Sequence, residues 1–156
     1  ASLSSKDDFM KKILAVASGG GHWIQLLRLR PSFEAHNVQY VTTHKDFGKK
    51  VNSAPYVVKD ANADKKFALL VLFIQMFWCF VKTRPDVVIS TGAAPGFAAL
   101  FWGKIFRAKT IWIDSIANAE ELSSSGRKAK YFADVWLTQW SHLATEEGPD
   151  CKGKVV

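Results

Sequence analysis

The sequence predicts an α/β domain: a Rossmann-like parallel sheet with flanking helices. Three observations predict it. Short apolar runs of strand length alternate with longer helical stretches, the signature of βαβ units. The strand runs are continuously apolar rather than alternating, as when helices cover both faces of a sheet. The 156 residues fit one domain, and 48% hydrophobic against 22% charged residues is a globular balance that excludes a disordered chain.

The elements follow in order. Residues 1–10 read as a polar tail, and residues 11–156 as the single folded domain, with no signal peptide in the opening stretch. Ile13 to Ala17 is a first strand, closed by Ser18 and three glycines. A helix from His22 to Arg30 stops at Pro31. Val38 to Thr42 is a second strand, and Ala61 to Lys82 a long helix ended by Arg84-Pro85. Asp86 to Ser90 is a third strand, followed by a helix from Pro95 to Phe106 with proline in its first turn. Thr110 to Ile113 is a fourth strand, Gly126 to Phe132 a short helix, and Asp134 to Thr138 a fifth strand.

Ligands of open parallel sheets bind beyond the carboxyl ends of the strands. The residues that follow the strands therefore form the candidate rim, and three of the four histidines fall there: His22, His44 and His142. The turn Ser18-Gly19-Gly20-Gly21-His22 is its sharpest feature. Glycines let backbone N–H groups approach an anion, and the next helix start adds a positive dipole end, so the turn suits a phosphate or diphosphate. The alternative is a tight turn without a ligand. The dinucleotide fingerprint is incomplete, because Ile24 stands where its third glycine belongs. His22, at the helix start, is either a candidate base, since imidazole titrates near neutrality, or a histidine that only hydrogen-bonds the loop. Asp114 ends an apolar strand and is either a general base or a structural acceptor for backbone N–H groups. Thr91 and Gly92 form a second small-residue turn that could bind an anion or simply allow close packing, and Ser115 and Asn118 follow the fourth strand; all four join the candidate phosphate or acceptor site. No Walker A motif, hydrolase elbow or zinc spacing is present, so no metal site and no cofactor are expected.

The formal charge of +7 points to an anionic partner. The basic residues are scattered rather than gathered in a stripe, which argues against nucleic acid. Two cysteines, Cys79 and Cys151, are too few for a disulfide framework and fit a reducing compartment. Phe67 to Val81 carries one amide and no charge; at 1.5 Å per residue it spans about 22 Å, short for a bilayer crossing. Such a helix is either buried on every side or has an outer face that meets a membrane interface or a partner. The expected membrane contacts are Phe73, Phe77 and Trp78, with Trp102 and Phe106 from the next helix and Lys104 and Arg107 for anionic head groups.

A family pattern also runs through these residues: Ala17-Ser18-Gly19-Gly20-Gly21-His22, then Arg84 to Gly92, then Trp112-Ile113-Asp114-Ser115-Ile116-Ala117, then Leu122 to Gly126, Ala133-Asp134 and Leu137-Thr138-Gln139-Trp140. The chain resembles the acceptor-side subunit of two-component GT-B glycosyltransferases. One branch is the membrane-anchor subunit of the eukaryotic enzyme that adds the second GlcNAc to dolichol diphosphate. The other, read as the closer, is the accessory subunit of bacterial exopolysaccharide β-1,4-glucuronosyltransferases. The resemblance implies the N-terminal half of a GT-B fold. It implies a separate sugar-nucleotide-binding partner subunit, a lipid-diphosphate-linked sugar acceptor, and a peripheral or monotopic place on the cytoplasmic face of the membrane. It places Gly19, Gly20, Gly21 and His22 near the acceptor diphosphate, while Asp114 stands where relatives commonly have Glu. Two other readings stay open: a non-catalytic membrane scaffold for a glycosyltransferase, and a soluble nucleotide-binding Rossmann protein.

Overall fold

The computed structural model describes residues 10–51, 54–62, 64–116 and 121–153. The expected tail at residues 1–9 lies outside them. The strands are β1 (Lys12–Val16), β2 (Asn37–Thr42), β3 (Tyr56–Val57), β4 (Val87–Ser90), β5 (Lys109–Ile113), β6 (Val135–Thr138) and β7 (Asp150–Cys151). They form one sheet in the order β3-β2-β1-β4-β5-β6-β7, and every pairing is parallel. The five expected strands are all present, and β3 and β7 extend the sheet at its two edges.

Among the described residues, four α-helices connect them: α1 (Gly21–Leu29), α2 (Lys66–Thr83), α3 (Ala93–Ile105) and α4 (Ser124–Ala129). Three begin two or more residues away from the expected positions: α3 starts early, at Ala93, and α2 and α4 are shifted for local reasons. Asn62 accepts a hydrogen bond from the Asp64 N–H on its side chain (3.0 Å) and from the Lys65 N–H on its carbonyl (3.1 Å). That turn holds the chain out of helix until Lys66. At α4, the Ser123 hydroxyl accepts from the Gly126 N–H (2.8 Å) and caps a helix that starts two residues early.

Alternate residues of β1 feed two cores. Leu14 and Val16 face α2 and α3, with Val41, Val88, Leu72, Met76, Phe80 and Leu100. Ile13, Ala15 and Ala17 face the side of α1, with Trp23, Leu26, Phe33 and Tyr40. Burial on both faces is the reason the strand runs lack alternation. Helix α3 lies unusually close to the sheet. A β-carbon on Gly96 would collide with the Ser90 side chain, and one on Gly103 would meet Thr110 Cγ2 at 2.7 Å. Gly103→Ala should therefore lower stability by about 1–3 kcal/mol, through overpacking, in a denaturant titration.

Two aspartates of the family pattern latch strand starts. Asp86 accepts from the Lys12 N–H (2.9 Å), and Asp134 from the Thr110 N–H (2.9 Å). Burial pushes the Asp134 carboxyl up, but the hydrogen bonds from Thr110 and the nearby Lys104 ammonium (3.3 Å) outweigh it and hold the group below its ordinary range.

Candidate active site

The chain order reverses between β1 and β4, so the loops after these two strands diverge and leave a crevice, the usual ligand position in this architecture. The first loop is the glycine turn. Ser18 is buried, Gly19 half-buried, and Gly20 and Gly21 are exposed. Gly20 has φ 72° and ψ −135°, a backbone state that a side chain resists. Among the described residues, a β-carbon added at Gly20 or Gly21 would meet nothing within 4 Å. The packing of the described residues therefore does not fill the space over these two glycines. No side chain caps the first turn of α1, and no acidic residue lies in it. Its leading N–H groups face no competing carboxylate of their own helix.

The second loop locks onto the first. His22 Nδ1 lies 3.1 Å from the Thr91 carbonyl, and the Thr91 hydroxyl donates to the His22 carbonyl at 2.6 Å. A carbonyl only accepts, so Nδ1 carries the proton in this bond and Nε2 is left as the basic nitrogen. Gly92, at φ 141°, supports the ring from behind: a β-carbon there would sit 2.5 Å from His22 Nδ1. Thr91 is fully buried, and the Gly92 N–H donates to the Ser90 hydroxyl (3.2 Å). Both residues were expected at the phosphate. The structure uses the Thr91 hydroxyl and the Gly92 N–H internally, to position His22.

Asp114 resolves toward its structural alternative. It is 1% exposed. Its Oδ1 accepts from the Ser123 hydroxyl (2.7 Å) and the Trp112 indole (3.2 Å), and its Oδ2 from the Ser123 N–H (3.1 Å). A buried carboxylate that accepts from these donors organises the loop into α4. These contacts favour the structural alternative for Asp114 over the role of base. Ser115 is also buried and accepts from the Gln25 side-chain amide (3.0 Å). Asn118 lies outside the described residues.

Two residues tie the rim together: Gln139, part of the family pattern, and Gln25, which the sequence did not single out. Gln25 Oε1 accepts from Gln139 Nε2 (2.7 Å) and from the Ile116 N–H (3.2 Å). Gln139 Nε2 also reaches the Asp114 carbonyl (3.0 Å), and the Trp140 indole donates to the Ile116 carbonyl (2.7 Å). Gln25 is one turn after His22 on α1, so this buried network fixes the helix that carries the imidazole. Its signal was a polar residue between Trp23 and Leu26, on the apolar side of an amphipathic helix. His44 is exposed beside Asp46, and His142 packs against the Trp140 ring of this network. Burial raises the Cys79 thiol to about 11, so it stays protonated at neutral pH and is no nucleophile. Among the described residues no group of His, Cys, Asp or Glu is arranged for a metal ion.

The apolar helix is covered on one side only. Its inner face puts Ala68, Leu72, Met76, Cys79 and Phe80 into the core. Phe67 (79% exposed), Leu70, Ile74 and Trp78 (55%) form an open stripe on the other face. By length and composition, Lys66–Thr83 is also long and apolar enough to cross a membrane. Four expected membrane contacts are set back from this stripe. Phe73, Phe77, Trp102 and Phe106 are half-buried in an aromatic layer between α2 and α3; Phe77 sits 5.0 Å from Trp102, and the Trp102 indole donates to the Phe73 carbonyl. Lys104 and Arg107 are exposed, with Lys104 paired to Asp134.

Comparison with known proteins agrees with this architecture. Acinetobacter baumannii MurG matches at a TM-score of 0.71 and 14% identity, covering 94% of this chain and 45% of that one. UDP-N-acetylglucosamine 2-epimerase from Rickettsia bellii matches at 0.65 and 15% identity, over 85% of this chain and 40% of that one. The fold is thus a Rossmann-like half of the GT-B type, matching the N-terminal half. By sequence, the UDP-N-acetylglucosamine transferase subunit ALG14 of Eremothecium gossypii is 37% identical over 41% of this chain and 31% of its own length. That of Schizosaccharomyces pombe is 25% identical over 92% and 82%, and that of Mus musculus 27% over 85% and 76%. The chain thus spans about a third of the Eremothecium relative and less than half of either solved structure. The family described as "Oligosaccharide biosynthesis protein Alg14 like" matches residues 55–152, from the β3 edge to the far edge of the sheet, and the chain belongs to this Alg14 family.

Proposed function

We propose that this chain is the acceptor-side subunit of a two-component glycosyltransferase that extends a glycan on a lipid diphosphate. The observation that carries the reading is the locked His22 imidazole beside an open, glycine-walled turn, at the switch point of a half-length GT-B fold. The turn and the start of α1 take the acceptor diphosphate, with Ser18, Gly19, Gly20 and Gly21 as its lining. His22 Nε2 accepts the proton of the acceptor hydroxyl as that oxygen attacks the anomeric carbon of the donor. The new glycosidic C–O bond forms while the bond from that carbon to the leaving phosphate breaks, and the nucleoside diphosphate departs with the electron pair. The chain supplies a wall on one side of this reaction. The donor and its leaving diphosphate belong to a sugar-nucleotide-binding partner, and the names of the relatives make UDP-GlcNAc the first donor to try.

The same reading sets the chain on the cytoplasmic face of a membrane, with the Phe67, Leu70, Ile74 and Trp78 stripe in the interface. The exposed bases Lys65, Lys66, Lys82 and Arg84 border it. Helix α2 lies on the sheet, and its packed inner face fits an interfacial position better than a crossing one.

Two results test the proposal. The chain alone should transfer no sugar, and mixing it with its partner should restore transfer from a UDP-sugar to a lipid-diphosphate acceptor; turnover by the chain alone rejects the two-component reading. Trp78→Asp should cut co-sedimentation with anionic vesicles by at least about tenfold while leaving the circular dichroism spectrum unchanged, since this ring is exposed. Undiminished sedimentation would remove the stripe from the interface.

A further inference from the structure

The flank of α2 away from α3 carries a groove that the reaction above does not use. It runs between the edge strand β3 and the C-terminal half of α2, has a volume of about 470 Å³, and is walled by Val57, Val58, Trp78 and Cys79. It adjoins a polar recess of about 250 Å³ that includes Lys12 and Gln39, and Tyr56 and Lys82 line both. Lys12 begins β1, so the recess sits at the end of the sheet opposite the glycine turn.

The chemistry of this flank is divided. One part is apolar and is continuous, through Trp78, with the exposed stripe. The other is cationic. The Lys82 ammonium stands 5.6 Å from the centre of the Tyr56 ring, and among the described residues no carboxylate pairs with it. Asp86, the carboxylate next to Lys12 in space, is engaged by the Lys12 N–H. Gln75 accepts from the Lys59 N–H through Oε1 (2.6 Å), which leaves its NH₂ as a donor at the groove. An occupant must then be amphipathic and anionic, and it must arrive from the side where Trp78 is exposed.

We propose that the groove holds the headgroup of one anionic phospholipid, its phosphate against Lys82, Lys12 and the Gln75 amide, and its glyceride and first acyl carbons against Trp78 and Val57. This rests on the membrane reading above. The site gives the chain a fixed tilt on the bilayer, because it anchors the far end of α2 while the stripe seats the rest.

The test is co-sedimentation of the full chain with phosphatidylcholine vesicles, with and without phosphatidylglycerol. The wild type should favour the anionic vesicles. Lys65→Ala, which removes the same charge from the other end of α2, should weaken that preference by up to about fivefold, the diffuse contribution of one surface lysine. Lys82→Ala should weaken it by about tenfold or more, because a direct charge-assisted hydrogen bond is lost as well. Lys12→Ala should follow Lys82→Ala, and Lys82→Arg should keep most of the preference. Equal losses in Lys82→Ala and Lys65→Ala overturn the site and leave the membrane reading intact, as does a wild type that binds both vesicles alike. A wild type that sediments with neither vesicle overturns the membrane reading and the site together.

Discussion

His22→Ala, assembled with the partner subunit, should lower kcat for sugar transfer by about 10²- to 10⁴-fold, the usual contribution of a positioned general base. The KM for the lipid acceptor should move far less, because the proposed function assigns the acceptor diphosphate to backbone groups of the turn rather than to the imidazole. His22 also has a structural bond, so alanine alone does not separate the two roles. His22→Asn does. Its amide N–H₂ can still donate to the Thr91 carbonyl, where Nδ1 now sits at 3.1 Å, while nothing replaces Nε2. The asparagine variant should therefore melt close to the wild type and still lose the rate. An asparagine variant that turns over within about threefold of the wild type would remove His22 from the proton transfer and leave it a fastener between two loops.

How much of this was legible in the residues follows from what each signal measures. The five long strands were visible because both of their faces are buried, which writes continuous apolar runs such as Ile13 to Ala17. Strands β3 and β7 are two residues each at the sheet edges, too short for any period to show. The glycine turn and His22 were legible because positive φ and close approach demand particular residue types. The orientation of α2 was not. An all-round apolar helix carries no phase, so the sequence named Phe73 and Phe77 as outward-facing where the fold exposes Phe67, Leu70 and Ile74 instead. Its aromatic neighbours on α3 settle the matter: Phe101 and Trp102 draw Phe73 and Phe77 inward. The Gln25 and Gln139 contact joins residues 114 positions apart, and no local pattern announces such a pair.

Asp114 gives the second large effect, and its size follows from counting donors. Removing the carboxylate by Asp114→Ala leaves the Ser123 N–H, the Ser123 hydroxyl and the Trp112 indole N–H without their acceptor, in a place that is 1% exposed. Each buried orphan costs about 1 kcal/mol or more, so the variant should lose about 3 kcal/mol of stability. In a domain of this size that is a fall in Tm of roughly 10 °C, readable by scanning calorimetry. Asp114→Asn should be nearly as damaging, because its NH₂ group would face donors: Trp112 has no acceptor to offer, and the Ser123 hydroxyl is already accepting from Gly126. Turning the amide over does not help, because each of the two oxygen positions faces an N–H donor, from Trp112 or from Ser123. The same pair of variants decides between structure and chemistry. Measured well below its own Tm and with the partner present, Asp114→Asn should keep kcat within about tenfold of the wild type, because a positioning carboxylate acts on the fraction folded and on loop order. A variant that keeps its Tm and loses about 10³-fold or more in kcat would make Asp114 the base after all and return His22 to a supporting place.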